Sequence, residues 1–263
     1  MPEGHTVQRT ANEFNEHFQG KKIKVDSPQG RFSSEAKLIN NRVLVQARAI
    51  GKQLFLDFDN ELTCRIHLGI YGKWRFTSRK DKELTGQVRA RFFTKDFLAD
   101  LRGPTVCEVI DSKSVKLVEQ RLGPDPTNPD PRKKELARFV ERVQNSKSSI
   151  GLLLMNQDVV SGIGNVYRAE LLFRAGISPH VLGNELTIEQ IKSLWVDAVK
   201  LMKVGVATGF MITRDELAKK NPVKAERNFV YKREGEKCLR CGALVAIEMM
   251  NSRKLYWCPG CQI

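Results

Sequence analysis

Two C-x-x-C pairs near the end of the chain limit its fold more than any other feature: Cys238-Leu239-Arg240-Cys241 and Cys258-Pro259-Gly260-Cys261. One short hairpin can bridge the span between them. Four thiolates at this spacing make a closed tetrahedral zinc site. A lone C-x-x-C could do redox chemistry, and four cysteines could form two disulfides. Two knuckles at this separation favour metal. A tail this short cannot fold on a core of its own, so metal binding must supply the folding free energy, on the order of 10 kcal/mol or more. One structural zinc per chain is expected, presenting something on a small metal-locked hairpin.

The 263 residues leave room for two domains, or for one larger domain plus the zinc module. A hydrophobic fraction of 41% supports a packed core and argues against wholesale disorder. The net charge of +14 favours a polyanionic partner, nucleic acid ahead of an anionic membrane. The plainer alternative is a basic protein with no such partner. No apolar run approaches membrane-spanning length. The start, Met1-Pro2-Glu3-Gly4-His5-Thr6, has no basic segment followed by an apolar one, so no secretory signal is read. Free zinc-ready cysteines without a signal point to a reducing, cytoplasmic setting. Cys64 and Cys107 lie among apolar neighbours and read as small buried hydrophobes.

Residues 6–19 read as an amphipathic helix, with Val7, Ala11, Phe14 and Phe18 on one face and Gly20 at the end. From 22 to about 119 the pattern changes to short strands. Leu62-Thr63-Cys64-Arg65-Ile66-His67-Leu68 alternates strictly, as a half-buried strand should. Leu54, Leu56 and Phe58 alternate too, although Phe55 makes that strand apolar on both faces. Val43 to Val45 and Val88 to Phe93 look like further strands. The expected architecture is a β-sandwich or flattened barrel with one helix packed on it.

Leu122-Gly123-Pro124-Asp125-Pro126-Thr127-Asn128-Pro129-Asp130-Pro131 reads as a linker, because its prolines suit neither a helix nor a central strand. Beyond it the chain turns helical. Leu136, Phe139, Val140 and Val143 mark one face, Ile150 to Leu154 begin a second helix, and Val166 to Phe173 make a third. Thr187-Ile188-Glu189-Gln190 is a capping-box start, followed by a stripe of Ile191, Leu194, Trp195, Ala198 and Met202. Residues 205–230, with Gly205, Gly209 and Asn221-Pro222, are expected to be a loose connection into the zinc hairpin. The expected divisions are a sandwich domain at 1–121, a linker at 122–130, a helical domain at 131–228 and a zinc finger at 229–263.

Three short motifs bear on chemistry. Gly162-Ile163-Gly164-Asn165 lies between two helices. It lacks the third glycine and the preceding strand of a dinucleotide fingerprint. It reads better as a tight turn that aims backbone N–H groups and the Asn165 amide at an anion, at the positive end of the next helix. In a chain this basic the anion would be phosphate; the plainer reading is a glycine turn with no ligand. Gly51-Lys52-Gln53 opens an apolar strand, where a lysine is ordinarily a solvated charge. At the start, loss of Met1 would expose Pro2 as a secondary amine with a pKa nearer neutrality than a lysine's. Attack on a sugar aldehyde carbon would give an iminium without a further proton loss. That cation is an electron sink easing elimination of neighbouring phosphates.

Together these pieces resemble the formamidopyrimidine-DNA glycosylase and endonuclease VIII superfamily of base-excision repair. The resemblance rests on Pro2-Glu3-Gly4, Gly51-Lys52, Leu122 to Pro126, Gly162 to Tyr167 with Ala169-Glu170 and Ala175-Gly176-Ile177, and the four cysteines with Arg253 before Cys258. They run in the family's order over nearly the whole chain. The resemblance implies an α+β, multidomain protein: an N-terminal β-sandwich with one helix, a helical helix-two-turn-helix domain and a C-terminal zinc-finger hairpin. It also implies a monomer that takes damaged double-stranded DNA in the cleft between its halves.

Carried over residue by residue, Pro2 resembles the nucleophile that attacks C1′ of the damaged nucleotide. Glu3 resembles the general acid/base. Lys52 resembles the lysine that grips phosphate beside the lesion and assists the chemistry. Asn165 and Arg253 resemble the pair that pinches the phosphates flanking the flipped nucleotide, helping to offset an extrusion that costs a few kcal/mol. Ile70 and Tyr71, in the glycine-flanked segment His67 to Gly72, align with wedge residues of the endonuclease VIII branch; an ordinary hairpin turn is the alternative. The guanine-lesion branch typically begins Pro-Glu-Leu-Pro-Glu. Here His5 and Thr6 stand where a proline and a second glutamate are usual, and Thr6 could cap the first helix. Gly4 and the Ile70-Tyr71 wedge lean towards oxidised pyrimidines rather than 8-oxoguanine. Residues 205–228, where the family keeps its base-covering loop, show no motif for a particular base. The implied activity is a bifunctional glycosylase and abasic-site lyase ending in β,δ-elimination. The rival is a non-catalytic nucleic-acid-binding zinc protein on the same scaffold, which would have no need of Pro2, Glu3 and Lys52.

Overall fold

Helix α1 (Gly4–Phe18) buries Val7, Ala11, Phe14 and Phe18, the face its spacing predicts. The computed structural model describes residues 2–78, 86–220 and 222–263, so Met1 and Asn221, both invoked above, lie outside the described residues. Helix α1 starts earlier than Thr6. Glu3 is its N-cap, with extended backbone, and the Glu3 carbonyl accepts the N–H groups of Thr6 and Val7. Thr6 is therefore inside the first turn and does not cap it; its Oγ1 lies 3.2 Å from His5 Nε2.

The chain divides into two compact units, Met1–Arg121 and Leu122–Ile263. In the first, α1 is followed by β1 (Lys22–Asp26), α2 (Ser33–Ile39), β2 (Arg42–Ile50), β3 (Gln53–Phe58), β4 (Leu62–His67), β5 (Lys73–Ser78), β6 (Ala90–Phe93), β7 (Phe97–Arg102), β8 (Val106–Asp111) and α3 (Ser112–Arg121). The strands are antiparallel in the order β5-β7-β6-β1-β2-β3-β4-β8. β1 and β2 share only the pairs Lys22↔Val43 and Ile23↔Arg42, so the sheet consists of two four-stranded halves joined by a short seam. Both halves feed one core, into which α1 inserts Phe14, edge-on to Trp74, Phe76 and Phe92. This is the expected sandwich with an N-terminal helix.

Helices α2 and α3 interrupt what the sequence suggests is an all-strand stretch. Each buries little, Ala36 and Ile39 in α2 and Val115 in α3, so neither carries enough apolar positions to show a helical period. Phe55 is fully buried outside the main core cluster, with the Arg48 guanidinium over its ring. Arg48 also bonds Glu119 of α3 at 2.6 Å. Cys64 is buried, as expected, but Cys107 is only half-buried.

The second unit holds α4 (Lys134–Gln144), α5 (Ile150–Leu153), α6 (Asn165–Ala175), α7 (Ile188–Thr208) and the hairpin β9 (Ala246–Met250) and β10 (Arg253–Trp257). The α7 capping box forms as predicted, with Gln190 N donating to Thr187 Oγ1 at 3.2 Å and Thr187 N to Gln190 Oε1 at 2.9 Å. The proline-rich stretch is not a free tether. Gly123 to Pro126 are buried, and Gly123 N donates to Gln157 O at 2.8 Å. A Cβ on Gly123 would sit 2.7 Å from the Asp158 carbonyl.

Residues 205–230 are also better held than the sequence suggests. α7 continues through Gly205 to Thr208. Thr213 and Val230 are buried, and Thr213 N donates to Arg227 O at 2.9 Å. The cause is Glu170, fully buried on α6, which accepts from the N–H groups of Phe229, Val230 and Tyr231 at 2.8 Å each and from Thr213 Oγ1 at 2.5 Å. Four donors on one carboxylate make its burial tolerable and tie Thr213 to residues 229–231.

His5 yields a pH prediction. Burial, then the positive chain terminus and Arg9, push its imidazole down from 6.5 to about 4. The folded protein keeps His5 neutral, whereas the unfolded chain protonates near 6.5. Its contribution is therefore complete above pH 6.5 and is lost as pH falls towards 4, by about 3 kcal/mol in all. Urea unfolding between pH 4 and 7 checks this: His5→Gln should flatten the acid decline relative to the parent. Parallel declines would contradict it.

Candidate active site and DNA-contact residues

Backbone register brings the N-terminal residues to one end of the sheet. Asn15 of α1 exchanges two hydrogen bonds with Ala47 of β2, Nδ2 to O at 2.9 Å and N to Oδ1 at 2.7 Å. Gly20 N, beyond the helix, donates to Leu44 O at 2.8 Å. Helix and strand therefore run antiparallel. From Asn15 back to Glu3 the helix rises roughly 18 Å; from Ala47 forward to Lys52 the strand advances roughly 17 Å. The chain start and the β2–β3 turn come level.

That turn is the two-residue loop Gly51-Lys52, closed by Ile50↔Gln53, with Gly51 in the left-handed region (φ 58°). Gln53 pairs with His67, so β4 also ends here. His67 is held below the ordinary histidine range by burial and then by the positive charges of Lys52 and Arg65. The sequence reading gave His67 no role. The next turn closes with Gly72 N donating to Leu68 O at 2.9 Å. Gly69 has φ 64°, and a Cβ on Gly72 would lie 2.2 Å from the Leu68 carbonyl. Two glycines thus hold Ile70 and Tyr71 outward, 47% and 86% exposed. Pro2, fully buried Glu3, Lys52 and the Ile70-Tyr71 turn share one end of the first unit.

In the second unit Asn165 is the first residue of α6, after Gly164 as N-cap. Its amide does not point only outward. Nδ2 donates to the Lys254 carbonyl at 2.8 Å, and Oδ1 accepts from Arg168 at 2.5 Å. An amide nitrogen carries two N–H bonds, and the Lys254 carbonyl takes one of them. Lys254 follows Arg253, the first residue of β10, so the structure brings Asn165 and Arg253 together. Arg168, almost completely buried, also donates to Lys254 O at 3.3 Å. Sequence reasoning missed Arg168 and the role of Glu170. It also missed Gln262, which accepts from Cys258 N at 2.8 Å and donates to Ile177 O at 3.0 Å. Their only signal would be a charged or amide residue at a position the helical or hairpin pattern requires to be buried.

The four predicted cysteines converge, with all Sγ atoms within 4.8 Å of one another. Cys238 and Cys261 are 3.8 Å apart, and Cys241 and Cys258 3.4 Å. A disulfide would need about 2.05 Å. A tetrahedron with 2.3 Å zinc–sulfur bonds needs sulfurs about 3.8 Å apart, so this set fits zinc. Burial pushes the Cys238 thiol up, but N–H groups of Cys241 and Arg240 more than offset this and leave it at about 7. Burial and neighbouring thiols push Cys261 up to about 12. A divalent cation relieves that crowding by taking all four as thiolates.

Comparison with known proteins agrees along the whole chain. Residues 1–112 match the formamidopyrimidine-DNA glycosylase N-terminal domain, 122–216 its H2TH domain, and 235–263 the zinc finger found in FPG and IleRS. Endonuclease 8 1 of Mycobacterium tuberculosis is 41% identical over the full length of both chains. The chain belongs to the formamidopyrimidine-DNA glycosylase and endonuclease VIII family. Endonuclease 8 of Escherichia coli is 28% identical, again over both full lengths. Lactococcus lactis formamidopyrimidine-DNA glycosylase, solved with DNA containing N7-benzyl-Fapy-dG, superposes with a TM-score of 0.83 at 25% identity, covering 99% of each chain. The family's members are DNA glycosylases with AP lyase activity. Among the described residues no helix is long and apolar enough to cross a membrane.

If zinc holds the hairpin that carries Arg253, Cys258→Ser should abolish zinc binding and weaken affinity for an abasic-site duplex by at least about tenfold. The 1–121 unit, which has its own core, should keep its unfolding transition. Metal analysis with fluorescence anisotropy checks both; full affinity without zinc would contradict the arrangement.

Proposed function

We infer that this protein is a bifunctional DNA glycosylase and abasic-site lyase of base-excision repair, with oxidised pyrimidines as its preferred lesions. The observation carrying the catalytic assignment is the gathering of Pro2, Glu3, Lys52 and the Ile70-Tyr71 turn at one end of one unit. In this reading the Pro2 nitrogen attacks C1′ of an extruded nucleotide. The base leaves with its bonding pair and takes a proton, and the ring opens to an iminium. Glu3, shielded from bulk water and next in the chain, shuttles the protons. Loss of a C2′ proton expels the 3′-phosphate by β-elimination, and a second elimination expels the 5′-phosphate. Hydrolysis of the remaining imine frees Pro2. Lys52, Asn165 and Arg253 hold backbone phosphates, and Ile70 and Tyr71 fill the gap left in the duplex. The enzyme acts as a monomer on cytoplasmic DNA.

The pyrimidine preference is supported by Gly4, by the Ile70-Tyr71 turn and by the likeness to proteins named endonuclease 8. The likeness to a structure with a Fapy-dG-type lesion favours the purine alternative. Single-turnover excision from duplexes that each carry one defined lesion separates the two. Thymine glycol or dihydrouracil should be excised at least about tenfold faster than 8-oxoguanine, a difference of about 1.4 kcal/mol at the transition state. The reverse order would assign the protein to guanine lesions. Binding without any excision would favour a non-catalytic role, and Pro2→Gly should sharply reduce strand nicking.

A further inference from the structure

The hairpin that carries Arg253 is fixed to the helical part of its unit on both sides of that residue. β9 and β10 pair Ala246↔Trp257, Glu248↔Leu255 and Met250↔Arg253, so Met250 and Arg253 share a face. The connecting turn, Asn251-Ser252, places two non-glycine residues in the left-handed region, at φ 47° and 59°. Such a turn persists only where its surroundings hold it. On the β10 side the hold is the Lys254 carbonyl, bonded by Asn165 and Arg168. On the β9 side it is Met250. A Cβ built on Gly151, at the start of α5, would come within 2.8 Å of the Met250 sulfur and 2.9 Å of the Pro179 carbonyl. Only glycine leaves that niche open, and Gly151 N donates to Pro179 O at 3.0 Å. Further along the same face, Glu248 Oε1 meets His180 Nε2 at 2.9 Å, and the His180 ring stands edge-on to Trp257.

We propose that Met250, seated over Gly151, is a positioning residue for Arg253: it fixes the β9 end of the hairpin tip so that the arginine reaches its phosphate without a conformational search. The proposal rests on the reading of Arg253 as a phosphate contact. Without Met250 the nearest hold on the β9 side is Glu248 with His180, two residues back from the turn, and binding must first order the tip. The zinc site and the Lys254 hold remain, so the fold survives while the guanidinium loses its aim.

The test is a double-mutant cycle on the full chain with a duplex bearing a tetrahydrofuran abasic analogue, alongside zinc content and thermal melting. Met250→Ala should weaken binding about tenfold with one zinc per chain retained, and Arg253→Ala should weaken it further. The double variant should be no weaker than Arg253→Ala alone, because Met250 acts through the arginine. Met250→Leu, which conserves volume, should restore affinity to within about twofold. Should Met250→Ala lose zinc, Met250→Gln, similar in length but polar, takes its place in the cycle. Wild-type affinity in Met250→Ala, multiplicative losses in the double variant, or a leucine variant no better than alanine would each overturn the proposal. If Arg253→Ala itself binds normally, it is the phosphate reading that fails.

Discussion

One helix laid antiparallel along one strand governs the end of the first unit that carries Pro2 and Lys52. The paired hydrogen bonds between Asn15 and Ala47 set the register of α1 on β2, and the lengths of the two elements then decide where each ends. They end level, which brings the start of the chain and a strand turn to one end of the unit. Nothing local to Pro2 could do this. Residues this close to a chain end are ordinarily among the least ordered in a domain. Here the residue after it is fully buried and its carbonyl starts a helix whose apolar face is locked into the core. Pro2 inherits its position from Phe14 and Phe18.

The second unit solves a different problem. Its zinc hairpin has only a small core, in which Val245 and Tyr256 pack with Ala169 and Phe173 of α6, and the strand that carries Arg253 needs further restraint. Three layers of restraint answer this. Four thiolates close the base of the hairpin. Buried polar groups join it to α6 and the residues that follow, through Asn165 and Arg168 on Lys254, Gln262 on Ile177, and Glu170 on residues 229–231. An apolar plug, Met250, secures its tip. Removing one side of any of these hydrogen bonds would leave the other unsatisfied at about 1–3 kcal/mol. Such ties specify a single docking geometry more sharply than apolar packing alone.

Some of this was legible in the sequence and some was not. Regular spacing is local information, so α1, the α7 capping box and the four cysteines could be read directly. α2 and α3 bury too few side chains to show a period. Residues 205–230 look loose because glycine and charge dominate them; what holds them is a glutamate on a helix far earlier in the chain. The glycine turn points to Asn165 as a candidate anion ligand, but its bond to the Lys254 carbonyl joins residues remote in sequence. For the same reason the company of Lys52 and Pro2 came from family resemblance and motif order, and only the register of α1 on β2 gives it a physical basis.

Mapping the covalent adduct tests the central claim most directly. The protein is incubated with an abasic-site duplex, reduced with borohydride, digested, and sequenced by tandem mass spectrometry. An N-terminal Pro2 that forms the iminium predicts the deoxyribose remnant on the first peptide, at the Pro2 nitrogen, with Met1 absent. A remnant on Lys52 or another lysine, with the Pro2 peptide unmodified, would contradict it.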